Sequence, residues 1–300
     1  MPKLVNSKET IEILKKYNFN FQKKFGQNFL IDPHVLEKII AAAEISRDDL
    51  VLEIGPGIGT MTQELCEAAG HVIAVEIDRN LIPILENDTL AAYDNKTIIN
   101  SDVLELDIAG LVEKCFNEKM AGHTGKRRAK VVANLPYYIT TPLIMGLLEK
   151  KAPLESITVM VQKEVAMRMQ AAAGSKDYGA LSLAVQYYAA PYLAANVPPN
   201  CFIPRPNVGS AVIKLTLHEE PPVKVKDEGL MFKLIRAAFN QRRKTLVNAV
   251  RNYAEYDFGR EEIEGALSSL GLDTNIRGEA LGLESYAALA DVLYDMRNEA

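Results

Sequence analysis

The chain has 300 residues, 48% of them hydrophobic, with a formal net charge of −5 and three cysteines. That length predicts one large domain plus a smaller one. No apolar run approaches the length that crosses a bilayer, and Met1-Pro2-Lys3 leads into no signal-type core, so the chain is expected in the cytoplasm, away from membranes. Cys66, Cys115 and Cys201 lie far apart with no C-x-x-C pair, and His34, His71, His123 and His218 show no i, i+4 pairing, so neither a disulfide framework nor a metal site is expected. The acidic balance argues at first against a nucleic-acid partner. Charge is nevertheless concentrated in three basic stretches without an acid: Lys15, Lys16, Lys23 and Lys24; Lys126, Arg127 and Arg128; and Arg242, Arg243 and Lys244. Each alone reads more simply as a solvated face; together they suggest local contact patches.

In chain order, Thr10 to Tyr17 reads as a short helix. Phe19 to Leu30 mixes aromatics, amides and lysines without a period, and is expected to be a contact loop rather than core. Asp32 can cap a helix with Pro33 at its first position and an apolar stripe through Val35, Leu36, Ile39 and Ile40. Leu50 to Ile54 then reads as a buried strand entering Gly55-Pro56-Gly57-Ile58-Gly59-Thr60, followed by a helix from Met61. Strand, glycine turn and helix is the frame that binds nucleotide-like ligands, because glycine lets the backbone approach the ligand. The strand His71 to Val75 ends at Glu76, placed to accept hydrogen bonds from ribose hydroxyls. Lys96 to Asn100 leads to Asp102 beside the same crevice. No Lys-Ser or Lys-Thr ends the glycine turn, which excludes a phosphate-gripping P-loop, and the spacing of Gly57 and Gly59 departs from the dinucleotide fingerprint. Glycine turn and both acids together look like an S-adenosylmethionine site.

Val131 to Ala133 is a further buried strand, ending in Asn134-Leu135-Pro136-Tyr137-Tyr138. An amide, a rigid proline and an aromatic face at the carboxyl end of a strand suit a flat, amine-bearing ring such as a nucleobase. Alone, the tetrapeptide reads equally as an ordinary strand-to-helix turn with Tyr137 as core. Ser156 to Val161, Pro191 to Val197 and Ser210 to Leu217 complete the expected strands, the last two joined by a proline-stiffened loop that presents Phe202. Glu219-Glu220-Pro221-Pro222 marks a boundary, beyond which Met231 to Tyr253, Arg260 to Leu270 and Tyr286 to Met296 are predicted helices of a small second domain, with Arg242, Arg243 and Lys244 on its polar face.

Phe25 to Leu30, Glu53-Ile54-Gly55-Pro56-Gly57, Asn134-Leu135-Pro136-Tyr137, Phe202-Ile203-Pro204-Arg205-Pro206 and Asn240 to Leu246 together resemble the ribosomal RNA adenine N6,N6-dimethyltransferase family, and within it the bacterial small-subunit type. The resemblance implies an α/β class I methyltransferase fold, Rossmann-like with a seven-stranded sheet, over residues 1–218. An N-terminal arm, 1–31, would close over the site, and an all-helical RNA-binding domain would span 219–300. It also implies S-adenosyl-L-methionine as cofactor and dimethylation of two adjacent adenosines in the 3′-terminal hairpin of 16S rRNA, within the small subunit or its precursor, by a monomer. Cofactor contacts then fall on Asn28, Leu30, Gly55, Glu76, Asp102 and Asn134. The reacting loop is Asn134, Leu135, Pro136 and Tyr137, with Tyr137 and Phe202 stacking on the extruded base, and RNA contacts fall on Arg242, Arg243 and Lys244. One departure stands out: the usual Pro-Lys-Val-Asp-Ser reads Pro206-Asn207-Val208-Gly209-Ser210, so a cation and an anion are missing together. Three rival readings are a macrolide-resistance methyltransferase acting on the large subunit, a non-catalytic assembly factor, and a nicotinamide-dependent oxidoreductase. The intact Asn134 loop disfavours the second, and the glycine spacing the third.

Overall fold

Runs of branched apolar residues order this chain as strands β1 (Phe29–Leu30), β2 (Leu50–Ile54), β3 (His71–Glu76), β4 (Lys96–Asn100), β5 (Ala129–Asn134), β6 (Leu154–Gln162), β7 (Ala189–Val197), β8 (Phe202–Ile203) and β9 (Ser210–Leu217). They come from a computed structural model that describes residues 4–5, 7–22, 25–253 and 258–299. Seven strands form one sheet in the order β4-β3-β2-β5-β6-β9-β7. Pairings among β4, β3, β2, β5 and β6 are parallel, and β9 runs antiparallel to β6. Every residue of β2 and β3 is buried, as a parallel sheet covered on both faces requires. This is an α/β doubly wound arrangement, and the strand order reverses direction between β2 and β5. Loops leaving those two strands therefore diverge and open a crevice at their carboxyl ends.

Register decides what meets in that crevice. Ile54 lies opposite Val75 on β3 and opposite Ala133 on β5. Gly55, Glu76 and Asn134, the next residue of each strand or loop, therefore emerge side by side. Downstream of β1, Asp32 caps the helix Pro33–Ala43, its side chain accepting the Val35 N–H, with Pro33 at the first position as its spacing predicts.

The stretch Phe19 to Leu30 is less of a loop than its sequence suggests. Phe29 and Leu30 are buried and pair with β8, Leu30 opposite Phe202 and Phe29 opposite Ile203. A two-residue strand shows no periodicity, which is why its core role is invisible in sequence.

The chain divides into two compact units, Met1–Ala166 with Ala190–Leu217, and Met167–Ala189 with His218–Ala300. Residues 167–189, which the sequence boundary at 218/219 puts in the first domain, thus group with the second. The reason is packing: Tyr178, Leu183 and Tyr187 join the apolar core of Met231, Leu234, Leu246, Ile263, Leu267 and Tyr286, and the Tyr178 hydroxyl donates to the Leu281 carbonyl at 2.8 Å. Within this unit the helix expected from Met231 to Tyr253 is two helices, Glu228–Asn240 and Leu246–Arg251. Gln241 leaves helical geometry at φ −125°, and Lys244 N–H closes a turn on the Gln241 carbonyl.

Candidate active site

The crevice is lined by the arm residues Phe25 to Leu30, the turn after β2, the end of β3, and Asn134 to Tyr138. Gly55 and Gly57 hold φ values of +71° and +61°, conformations that a side chain disfavours. A Cβ on Gly55 would meet nothing within 4 Å and would project into open space, whereas one on Gly57 would stand 2.8 Å from Phe29 Cε1. The first glycine leaves room for a ligand, and the second lets the Phe29 ring of the arm lie on the turn.

Two acids face this turn from adjacent strands. Glu76 is 4% exposed; its Oε2 accepts the Gly57 N–H at 3.1 Å and its Oε1 the Asp78 N–H at 2.8 Å. Burial pushes its carboxyl up to about 7. Glu53 is fully buried, and neither carboxylate oxygen has a hydrogen bond of normal geometry; burial pushes it up to about 8, the Thr62 hydroxyl offsetting part of that and the Glu76 charge adding to it. An unpartnered carboxyl costs free energy in a folded protein unless a ligand completes it. S-adenosylmethionine fits: its ammonium and sulfonium groups bring the positive charge that Glu53 lacks, and its ribose brings hydroxyl donors that Glu76, with lone pairs to spare, can accept.

The Asn134 loop is set from the arm. Asn134 Nδ2 donates to the Asn28 carbonyl at 2.9 Å, which fixes the amide orientation and leaves Oδ1 without a donor among the described residues. Asn28 is itself braced, its Nδ2 donating to the Gly26 carbonyl at 3.0 Å. The Leu135 N–H is tied to the Met160 carbonyl, and Thr140 Oγ1 donates to the Pro136 carbonyl, so the Asn-Leu-Pro-Tyr backbone is held at both ends. Tyr137 is half-buried, and its hydroxyl pairs with Ser210 Oγ at 2.7 Å; a ring placed by a fixed phenol is more than a stacking surface.

Gly55, Glu76, Asn134, Asn28 and Leu30 are therefore brought together, with Leu135, Pro136 and Tyr137 beside them. Three expectations change. Phe202 is 3% exposed, its ring packed with Leu30, Val35, Met160 and Val212, so it offers no open face to a base. Pairing of β8 with β1 turns that ring inward. Asp102 is not in the crevice lining; its side chain accepts the Leu104 N–H at 2.9 Å and caps a short 3-10 turn. Arg242 is opposed after all: Nε donates to Glu279 Oε2 at 2.7 Å, and the guanidinium also donates to the Lys176 and Ser175 carbonyls. Arg243 and Lys244 remain exposed. Of the other basic stretches, Lys16 pairs with Asp88, Arg127 donates to Asn117 Oδ1, and Lys23 and Lys24 lie outside the described residues.

Sequence reasoning assigned no role to Glu53, nor to four further residues around the crevice. Tyr138 is 60% exposed at the mouth, against Gly26 of the arm. Ile77 is also exposed in the lining, and Gln27 and Asp78 bond to each other at 2.9 Å. The one available signal was position, since Ile77 and Asp78 directly follow Glu76. Among the described residues no group of three or more His, Cys, Asp or Glu is placed to hold a metal, and no helix is long and apolar enough to cross a membrane.

Sheet order, glycine turn and paired acids define a class I S-adenosylmethionine-dependent methyltransferase. More narrowly, the chain belongs to the ribosomal RNA adenine dimethylase family, whose model matches residues 18–293. It is 66% identical over 293 residues to the ribosomal RNA small subunit methyltransferase A of Lachnoclostridium phytofermentans, covering 98% of each chain. To the protein so named in Alkaliphilus metalliredigens it is 51% identical over 289 residues, covering 96% of this chain and 97% of that one. Among solved structures, a dimethyladenosine transferase from Plasmodium falciparum superposes with a TM-score of 0.73 at 26% identity, covering 90% of this chain and 98% of that one.

The Glu53 environment has a pH consequence. Its folded pKa, about 8, lies above the ordinary 4.5, so the neutral carboxyl contributes stability that is fully present below about 4.5 and lost as pH rises through about 8. In cofactor-free protein, Glu53→Gln removes that dependence. Thermal melts at pH 5 and pH 8.5 should show wild type losing ground to the variant at the higher pH; an unchanged difference would contradict the burial argument.

Proposed function

We propose that this chain transfers methyl groups from S-adenosylmethionine to N6 of two adjacent adenosines in the 3′-terminal hairpin of 16S rRNA, as part of small-subunit biogenesis. The observation that carries it is the Asn134 amide, locked by Asn28 with its oxygen turned free, next to a crevice built for a cationic nucleoside cofactor. The relatives at 66% and 51% identity, both small subunit methyltransferases by name, support the small subunit over the large one.

When bound, the cofactor supplies an electrophilic methyl group on a positive sulfur. The chain's residues do the rest. Glu76 holds ribose hydroxyls, and Glu53 faces the amino-acid end. Asn134 Oδ1 and the Leu135 carbonyl accept hydrogen bonds from the adenine N6 amine. That amine is a weak nucleophile because its lone pair is delocalised into the ring. Two acceptors placed for a tetrahedral nitrogen localise the pair, and they bind more strongly as positive charge develops on N6. Neither acceptor is basic enough to take a proton from the neutral amine, so their work is orientation and charge stabilisation, and the proton released from the N6 cation after alkylation passes to solvent water. Tyr137 offers one face to the extruded base, offsetting part of its unstacking cost, with the ring angle set by Ser210. In the same proposal the helical unit binds RNA through Arg243 and Lys244, and the protein works as a monomer in the cytoplasm.

Asn134→Ala should cut single-turnover methylation of small subunits about a hundred- to a thousandfold while leaving subunit binding within a few-fold, because the lost bond matters most in the transition state. Wild-type turnover would refute the role. Replacing Arg243 and Lys244 together by alanine should make the plot of log affinity for subunits against log salt shallower by about 1.5, the sum for two phosphate contacts, with cofactor affinity intact. An unchanged slope makes that surface a solvated face.

A further inference from the structure

The arm and the cofactor-facing acid are joined by a continuous line of hydrogen bonds. Within the arm, the Gln22 N–H donates to Gln27 Oε1 at 2.9 Å. Gln27 Nε2 then donates to Asp78 Oδ2, also at 2.9 Å, crossing from the arm to the turn after β3. Asp78 is 2% exposed, and its other oxygen accepts both the backbone N–H and the side-chain amide of Asn80, at 3.1 and 2.8 Å. Its own N–H donates to Glu76 Oε1, while Glu76 Oε2 takes the Gly57 N–H. An Asp-Asn turn of this kind closes on its own and needs no third partner. The Gln27 bond is thus an addition that links arm position to the geometry of Glu76.

We propose that Gln27 and Asp78 form a latch coupling the seating of the arm to the orientation of Glu76, which makes Asp78 a positioning residue for cofactor binding. This rests on the reading of Glu76 as the holder of the cofactor ribose. The same arm carries Asn28, whose carbonyl fixes Asn134, so a seated latch prepares the cofactor site and the reacting amide together. Coupling of this kind is reciprocal: if the latch tightens cofactor binding, bound cofactor tightens the arm.

Donor and acceptor can be exchanged across the latch. In Asp78→Asn the new Nδ2 faces either the Gln27 amide or, with the asparagine flipped, the two Asn80 donors, and flipping Gln27 instead would set its Nε2 against the Gln22 N–H, so every arrangement loses a bond of the network. Gln27→Glu puts two carboxylates together. Combined, the two substitutions restore one donor and one acceptor, and Glu at 27 still accepts from Gln22. Calorimetry with S-adenosylmethionine should show each single variant binding about tenfold more weakly, as expected for a bond to a charged group, and the double variant within about threefold of wild type. Hydrogen exchange of amides 25–30 should show cofactor-induced protection in wild type, its loss in either single variant and its return in the exchanged pair. Gln27→Ala, which leaves the Asp78 turn untouched, guards against misfolding and should also weaken binding about tenfold. The latch is overturned if Gln27→Ala binds like wild type, or if the exchanged pair is as weak as Asp78→Asn alone. Glu76→Gln separates the two claims: wild-type affinity there overturns the ribose assignment and the latch with it, whereas weak binding there beside normal Gln27 variants overturns the latch only.

Discussion

The parallel register around β2 is the constraint on which the site depends. Ile54 is paired on one side with Val75 and on the other with Ala133, and backbone hydrogen bonds allow no slip without turning every buried side chain of β2 to the wrong face. Because the three strands end level, the glycine turn, the acid of β3 and the amide of β5 meet although they are far apart in sequence. A shift of one residue in β5 would place Leu135 where Asn134 stands and bury the wrong group. The chemistry is therefore positioned by the sheet, and the loops need only be short and stiff, as Pro56 and Pro136 make them.

On this frame the N-terminal arm supplies what the sheet alone does not. Pairing of β1 with β8 anchors its end, the Phe29 ring lies against Gly57, and the Asn28 carbonyl selects one orientation of the Asn134 amide. Asn134 would otherwise present its NH2 or its oxygen with little preference, and only the oxygen can accept from an amine. A single backbone carbonyl, contributed from 106 positions upstream, thus sets which way the Asn134 amide is turned. The buried acids are the complement of this order: burial raises Glu53 and Glu76 above the ordinary carboxyl range despite the hydrogen bonds that oppose it, and a nearby positive charge acts in the opposite direction.

How much of this was legible in the sequence follows from physical range. Strong local signals were readable: the continuous apolar runs of β2, β3 and β5, the Asp32-Pro33 cap, and the glycine turn between a strand and a helix. Glu76 was readable too, because a strand end fixes where its next residue points. What failed depended on partners distant in sequence. Phe202 looks exposed in a proline-rich loop, but the two-residue pairing with Leu30 turns it into core. Arg242 looks unopposed because Glu279, Ser175 and Lys176 are remote along the chain. Met231 to Tyr253 shows helical periodicity on either side of six polar residues, Asn240 to Thr245, and the turn at Gln241 to Lys244 falls within them. The Gln27–Asp78 bond had no sequence signal, since neither residue type nor spacing marks a contact between an arm and a strand end. Asp102 follows β4 as read, and one of its carboxylate oxygens caps the short turn after it.

The central claim is that the Asn134 crevice delivers methyl groups to adenine N6 in small-subunit RNA. The most direct measurement is to incubate the protein with S-adenosylmethionine carrying an isotopic methyl label and with unmethylated small subunits, digest the RNA, and map the label by mass spectrometry. The account predicts two labelled methyl groups on N6 of each of two adjacent adenosines in the 3′-terminal hairpin of 16S rRNA, with none on large-subunit RNA supplied in competition. Label on the large subunit, on a base other than adenine, or on no RNA at all would contradict it.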